Sequence, residues 1–305
     1  MEVVIVHKKT WLVGLMSLMV MLLLAACGQQ TKQSNSSVAP DKIKVIASVD
    51  FYGEVAKAVL GNHGSVTSII DNPDVDPHDY EPTTAVGKSV ATANVVVANG
   101  IGYDGWMDKL VKAANNKVQY VRVGEDVMAK KEGDNEHLWY NDKTMPELAN
   151  YLAKVYGKLD AKNAKAYTAN AKKYIASLEP LTKLIAELKT KSNGQKVDVS
   201  EPVFDNALDA LGYKMNDAHF AKATEDGTDP SPADIAQIKA DIKSKKIAFF
   251  VQNSQADSKL VDQLADEAKA AGVPVLKVTE TLPKDKTYLT WMLGQYQDLQ
   301  KIQNK

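Results

Sequence analysis

The sequence predicts an α/β protein of two lobes, each a mainly parallel sheet flanked by helices, joined by one long rigid α-helix. Three observations carry this reading. β-prone apolar runs alternate with helix-periodic segments over residues 43–143, and the alternation resumes over residues 195–305. Between them, residues 144–194 contain no β-rich run and keep helical spacing. At 305 residues, 45% hydrophobic and 25% charged, the chain has the length of about two domains and can bury a sizeable core.

In the first lobe, residues 44–49, 65–70, 94–98 and 118–123 read as strands. Residues 94–98 (Asn-Val-Val-Val-Ala) are almost wholly apolar, as a strand covered on both faces requires. Helices are expected over 51–60, where Val55, Val59 and Leu60 share a face, over 84–93 with Thr83 as N-cap, and over 103–114. Residues 144–191 are rich in Ala, Lys, Leu and Tyr. Leu148, Leu152 and Val155 keep helical spacing, as do Tyr174, Ile175, Leu178 and Leu181. A break at residues 160–163 starts a second helix, which would run about 46 Å if continuous to residue 191. Pro180 should kink it or mark its weak point. A surface hairpin is the plainer reading; resumption of the α/β pattern afterwards favours a connector. In the second lobe, strands are expected over 196–199, 247–252 and 273–278. Helices are expected over 203–211 (stopped by Gly212), after Ser231-Pro232-Ala233-Asp234, and over 260–271 and 287–302.

The first residues read differently. Lys8-Lys9 is followed by an apolar run over 11–24 and then Leu24-Ala25-Ala26-Cys27, the pattern of a cleavable secretory signal. The run is shorter than the roughly 20 residues a spanning helix needs. Leu-Ala-Ala-Cys resembles the bacterial lipobox, in which cleavage leaves the cysteine first and its sulfur lipidated. The resemblance makes residues 1–26 a signal peptide and Cys27, the only cysteine, the lipid attachment. Residues 27–42 become a polar tether with too little apolar surface to fold. The formal charge of −1 becomes −2 once Glu2, Lys8 and Lys9 are removed, which argues against a nucleic-acid binder. A single cysteine excludes an internal disulfide and any multi-cysteine zinc site.

Ligands of two-lobed α/β proteins sit beyond the carboxyl ends of the strands. Four places there carry chemistry. Residues 76–83 (Asp-Pro-His-Asp-Tyr-Glu-Pro-Thr) hold His78 between two stiffening prolines. His137 lies in Asn135-Glu136-His137-Leu138-Trp139-Tyr140, beside aromatics that can exclude water. Glu201 follows the strand at 196–199, and Glu280 follows that at 273–278. Each carboxylate alone could simply cap the next helix. Two imidazoles and two carboxylates together suit a divalent first-row ion such as Mn2+ or Zn2+.

Over its whole length the chain resembles the metal-specific solute-binding lipoproteins of bacterial ABC importers for manganese and zinc. The lipobox, the Asp-Pro-His-x-Tyr-Glu-Pro motif, the helical connector and Ser200-Glu201-Pro202-Val203-Phe204-Asp205 carry the likeness. The resemblance implies His78, His137, Glu201 and Glu280 as metal ligands. It implies a lipid-anchored, monomeric protein on the extracytoplasmic face of the membrane, which passes its ion to a permease served by a separate ATPase. The second histidine commonly follows Asp-Pro, but here follows Asn-Glu. The fourth acid is commonly Asp, and Glu280 is one methylene longer; Asp257 in the Asp-Ser-Lys run is the substitute. No histidine lies between His78 and His137, so the His-rich loop of many zinc members is missing. His63 and His219 are read as bystanders.

Capture of an ion, with no catalysis, is the expectation. No Gly-x-x-x-x-Gly-Lys-Ser/Thr, His-Glu-x-x-His or Gly-x-Ser-x-Gly occurs. The alternatives are a cell-surface metallohydrolase and an adhesin without a transport role. Ligation needs neutral imidazoles, so affinity is expected to fall as pH drops through about 6.5.

Overall fold

The computed structural model describes residues 42–114, 118–256 and 258–305. The signal peptide, Cys27, all of the tether but Lys42, and Asp257 lie outside the described residues. Residues 42–305 form one compact unit. Among the described residues no helix is long and apolar enough to cross a membrane.

The first lobe runs β1 (Ile43–Val49), α1 (Asp50–Leu60), β2 (Gly64–Ile70), α2 (Thr84–Ala91), β3 (Val95–Ala98), α3 (Gly105–Ala113) and β4 (Gln119–Arg122). Its sheet is parallel, in the order β2-β1-β3-β4. All four residues of β3 are buried, as a strand with helices on both faces must be. Thr83 caps α2 as expected, its Oγ1 accepting the Val86 N–H.

The second lobe repeats the plan with β5 (Lys196–Val199), α7 (Asp205–Leu211), β6 (Lys214–Met215), α8 (Ala218–Glu225), α9 (Pro232–Ser244), β7 (Phe250–Asn253), α10 (Lys259–Ala271), β8 (Val275–Val278) and α11 (Tyr288–Gln303). Its sheet order, β6-β5-β7-β8, is that of the first lobe, again parallel. Gly212 stops α7 with φ 85°, a left-handed conformation that a Cβ disfavours. Ser231 caps α9. Strand β8 begins after Pro274, not at residue 273, because proline has no N–H to give the ladder. The short β6 and α8 were not expected from the sequence.

Three helices link the lobes: α4 (Thr144–Leu159), α5 (Ala164–Ser177) and α6 (Glu179–Lys189). Helix α4 packs back against α5, and both lie on α1 of the first lobe, while α6 lies on α11 of the second. The expected single helix from residue 161 is divided at Leu178, because Pro180 cannot donate the backbone hydrogen bond that would continue the ladder. Leu178 keeps right-handed helical dihedrals, so the chain passes from α5 to α6 without a turn.

A smaller apolar cluster around Phe220, Ile238 and Phe250 lies within the second lobe, and one larger core spans both lobes. An aromatic seam crosses it, with Phe51 against Trp139, Trp139 against Tyr103, and Tyr140 against both Phe204 and Trp291. The Tyr140 hydroxyl donates to the Thr279 carbonyl at 2.6 Å, and that of Tyr288 to the Trp139 carbonyl at 2.7 Å. Such buried, paired hydroxyls fix where the two sets of strand ends meet.

Candidate metal centre

The loop after β2 presents His78. Asp76 Oδ1 accepts the His78 backbone N–H at 2.8 Å, and the Trp106 indole donates to the Pro77 carbonyl at 3.1 Å. Tyr103 packs edge-on against the imidazole, with ring centroids 4.8 Å apart. The side chain keeps 31% exposure, and its Nε2 lies 3.8 Å from Oε1 of Glu280, which comes from the other lobe.

His137 is wholly buried, just before a short 3-10 turn (Leu138–Tyr140). Asn135 Oδ1 accepts its backbone N–H at 2.9 Å and faces its Nδ1 at 3.2 Å. A proton on Nδ1 leaves the Nε2 lone pair free, which is the form a metal needs. Nε2 has no hydrogen-bond partner, and Oε1 of Glu225 lies 3.8 Å away. Asn135 also donates to the Pro202 carbonyl across the cleft at 2.8 Å, and Asn206 donates to the His137 carbonyl at 3.0 Å. Asn135 thus stands where the common pattern has Asp, and its amide both orients the imidazole and ties the lobes.

Two residues at the end of β7 set the carboxylates. Asn253 Nδ2 donates to Glu201 Oε2 at 2.6 Å. Gln255 Oε1 accepts the backbone N–H groups of Glu280 and Thr281, and its amide donates to the Pro73 carbonyl of the first lobe. In the first lobe Asn99, just after β3, plays a matching part by donating to the Glu136 carbonyl at 3.0 Å.

Ligand-type atoms converge in two triangles. One atom each from Asp76, His78 and Glu280 lie within 4.8 Å of one another, and so do atoms from His78, Glu136 and Glu225. A first-row ion bonded at about 2.0–2.2 Å holds its ligand atoms about 3–4 Å apart, so modest contraction closes either triangle. Of the four expected ligands, His78 and Glu280 are brought together. Among the described residues neither His137 nor Glu201 belongs to a triangle, though the Glu201 charge reaches both Glu225 and Glu280. Asp257 lies outside the described residues; Ser258 beside it caps α10.

The electrostatics fit a cation. Burial, then repulsion from Asp76 and Glu201, pushes the Glu280 carboxyl up to about 8, opposed by the Tyr103 hydroxyl. Burial and the neighbouring Glu136 push Glu225 up to about 9. Glu201 is raised by burial and lowered by its Asn253 bond. Burial first, then the charges of His78 and Lys222, lowers His137 to about 3. His137 is therefore neutral across the physiological range, and titration near 6.5, expected from the sequence, does not apply to it.

Sequence reasoning missed Asp76, Glu136 and Glu225 as members of this cluster. The first two stand inside motifs already singled out for their histidines. Glu225 had no signal, since it ends a helix that no hydrophobic period announced.

Residues 45–302 match the family model described as zinc-uptake complex component A, periplasmic. The chain is 26% identical over 284 residues to the high-affinity zinc uptake system protein ZnuA of Bacillus subtilis, covering 87% of each. It is 30% identical over 277 residues to the iron ABC transporter substrate-binding lipoprotein MtsA of Streptococcus pyogenes, covering 85% of this chain and 84% of the relative. Its fold is that of the Mn-bound periplasmic metal binding protein of Candidatus Liberibacter asiaticus, with TM-score 0.69 and 20% identity over 86% of this chain and all of the other.

Proposed function

The chain belongs to the family of zinc-uptake complex component A, and from that premise we propose that it captures one divalent transition metal ion outside the cytoplasm and delivers it to an ABC permease. The ion is Mn2+ or Zn2+, and it is the cargo. His78 and His137 supply neutral imidazole nitrogens, and Glu201 and Glu280 supply carboxylates. Cys27 carries the lipid that holds a monomeric protein at the extracytoplasmic face of the membrane, and the permease's separate ATPase supplies the energy.

One observation carries the reading. Imidazole and carboxylate atoms from both lobes meet at the carboxyl ends of the strands, and several of them, His137 Nε2 and Glu280 Oε1 among them, are buried without a hydrogen-bond partner. A buried polar atom left unpaired costs about 1–3 kcal/mol, and a divalent ion offsets that cost for several at once. The names of relatives add support, since a zinc uptake protein and an iron transporter's binding lipoprotein are both similar along most of the chain.

Binding and release need no covalent chemistry from the protein. The carboxyls give up their protons as the ion enters, and the buried His137 holds its free nitrogen ready. The aromatic wall of Tyr103 and Trp139 keeps that side of the cleft dry and strengthens the ion–ligand attraction. The test is metal content by mass spectrometry on residues 28–305. One ion per chain, abolished by His78→Ala, is expected; a metal-free protein, or retention indifferent to His78 and His137, contradicts the reading.

A further inference from the structure

The four proposed ligands leave Glu225 without a role, although it is set as deeply in the cleft as they are. It is the last residue of α8, its side chain is only 9% exposed, and no donor group reaches either carboxylate oxygen, the Glu136 carboxyl beside it being a fellow acceptor. The cation on its own helix is engaged elsewhere, since Lys222 pairs with Asp226. What Glu225 does face is the His137 imidazole, 0% exposed, whose Nε2 is also unpartnered and lies 3.8 Å from Glu225 Oε1. Two lone-pair atoms buried face to face need a proton or a cation between them, and a divalent ion serves both at once. Their separation is within the range of about 3–4 Å set by two ligands of one first-row ion. Glu225 also forms a triangle of ligand-type atoms with Glu136 and His78, one that His137 adjoins but does not belong to.

We propose that Glu225 is a further metal ligand, beside His137, and that it shifts the selectivity of the site from Zn2+ toward Mn2+. This rests on the reading of the cleft as a metal-capture site. The physical reason is coordination number. Zn2+ is satisfied by four ligands in a tetrahedron, and two imidazoles with two carboxylates already fill it. Mn2+ favours oxygen donors and accepts an octahedral set, so a fifth protein ligand adds to its binding and crowds that of Zn2+. The intrinsic affinity order favours Zn2+ at a common donor set, so selectivity for Mn2+ must be built from ligand number and geometry.

The experiment measures Mn2+ and Zn2+ affinities by competition with a metallochromic chelator, on the full chain stripped of metal. Wild type is compared with Glu225→Gln, which removes the charge and keeps the shape, and with Glu225→Asp, which keeps the charge and withdraws the oxygens. Both variants are expected to bind Mn2+ at least tenfold more weakly, with Zn2+ affinity changed less than threefold. Thermal melts establish that the metal-free variants fold. Equal losses for the two ions, or an Asp variant indistinguishable from wild type, overturn the proposal by reducing Glu225 to a distant charge. No change in either variant overturns it as well. A wild-type chain that takes up neither ion instead removes the capture reading beneath it.

Discussion

His78 Nε2 and Glu280 Oε1 face one another at 3.8 Å although they belong to different lobes. His78 stands behind β2 and Glu280 behind β8, so the contact exists only because the two sheets converge at their carboxyl ends. A metal held there ties the lobes together. Glu280→Gln retains the shape and loses the charge, and metal affinity measured by competitive chelation is expected to fall by more than about tenfold. An unchanged affinity would remove Glu280 from the ligand set.

Asn135 acts through His137. By accepting from Nδ1 it fixes the tautomer that leaves Nε2 open. Asn135→Ala is expected to weaken metal binding by about 10–100-fold, the usual cost of losing an orienting partner. Asn135→Asp, which keeps an oxygen acceptor for the imidazole, should recover most of that loss. A chelator titration in which both variants behave alike would show that Asn135 serves the lobe contact to Pro202 and not the imidazole.

The pH dependence follows from the carboxyls. In the metal-free cleft Glu280 titrates at about 8 and Glu225 at about 9, both raised chiefly by burial, so both hold protons at pH 7. Entry of a divalent ion expels them. Affinity should therefore rise as pH increases from 6 toward 9, and His137, lowered to about 3, adds no step in that window. Calorimetry in buffers of different ionisation enthalpy reads the protons released directly. Zero release at pH 7 would contradict the assignment.

A second group of buried carboxyls bears on stability. Asp198 and Asp205 are raised to about 7 and Asp217 to about 9, in each case first by burial. Their folded values lie above the ordinary 3.8, so their contribution is whole below about pH 4 and is lost as pH rises toward 7 and 9. Asp217 Oδ2 accepts the Val199 N–H, a bond that an asparagine oxygen can also make. Asp217→Asn is expected to stabilise the metal-free fold by about 1–3 kcal/mol at pH 8 and much less at pH 4. Urea denaturation at the two pH values checks this, and an equal gain at both would contradict it.

The sheets were legible because their strands are continuous apolar runs, such as Val95–Ala98, separated by segments of helical period. The caps Thr83 and Ser231 and the stop at Gly212 were legible because their chemistry is local. Strand β6 is two residues long, and α8 buries only Phe220 and Ala221, so neither leaves a period to read. Losing α8 meant losing Glu225, whose place beside His137 is a product of tertiary packing. The stretch from residue 161 was read as one helix because helical spacing persists across Pro180, and the missing N–H divides it there. His78 and Glu280 were found from their places after strands, whereas the parts of Asn253 and Gln255 depend on contacts between strand ends that spacing does not encode.

The central claim is that one ion sits where the two lobes' strand ends meet. Anomalous X-ray scattering from crystals grown with Mn2+ or Zn2+ tests it most directly. A single strong peak within about 2.0–2.5 Å of side-chain atoms of His78, His137, Glu201 and Glu280 is the predicted result. A peak elsewhere on the molecule, or none in crystals saturated with metal, would contradict the account.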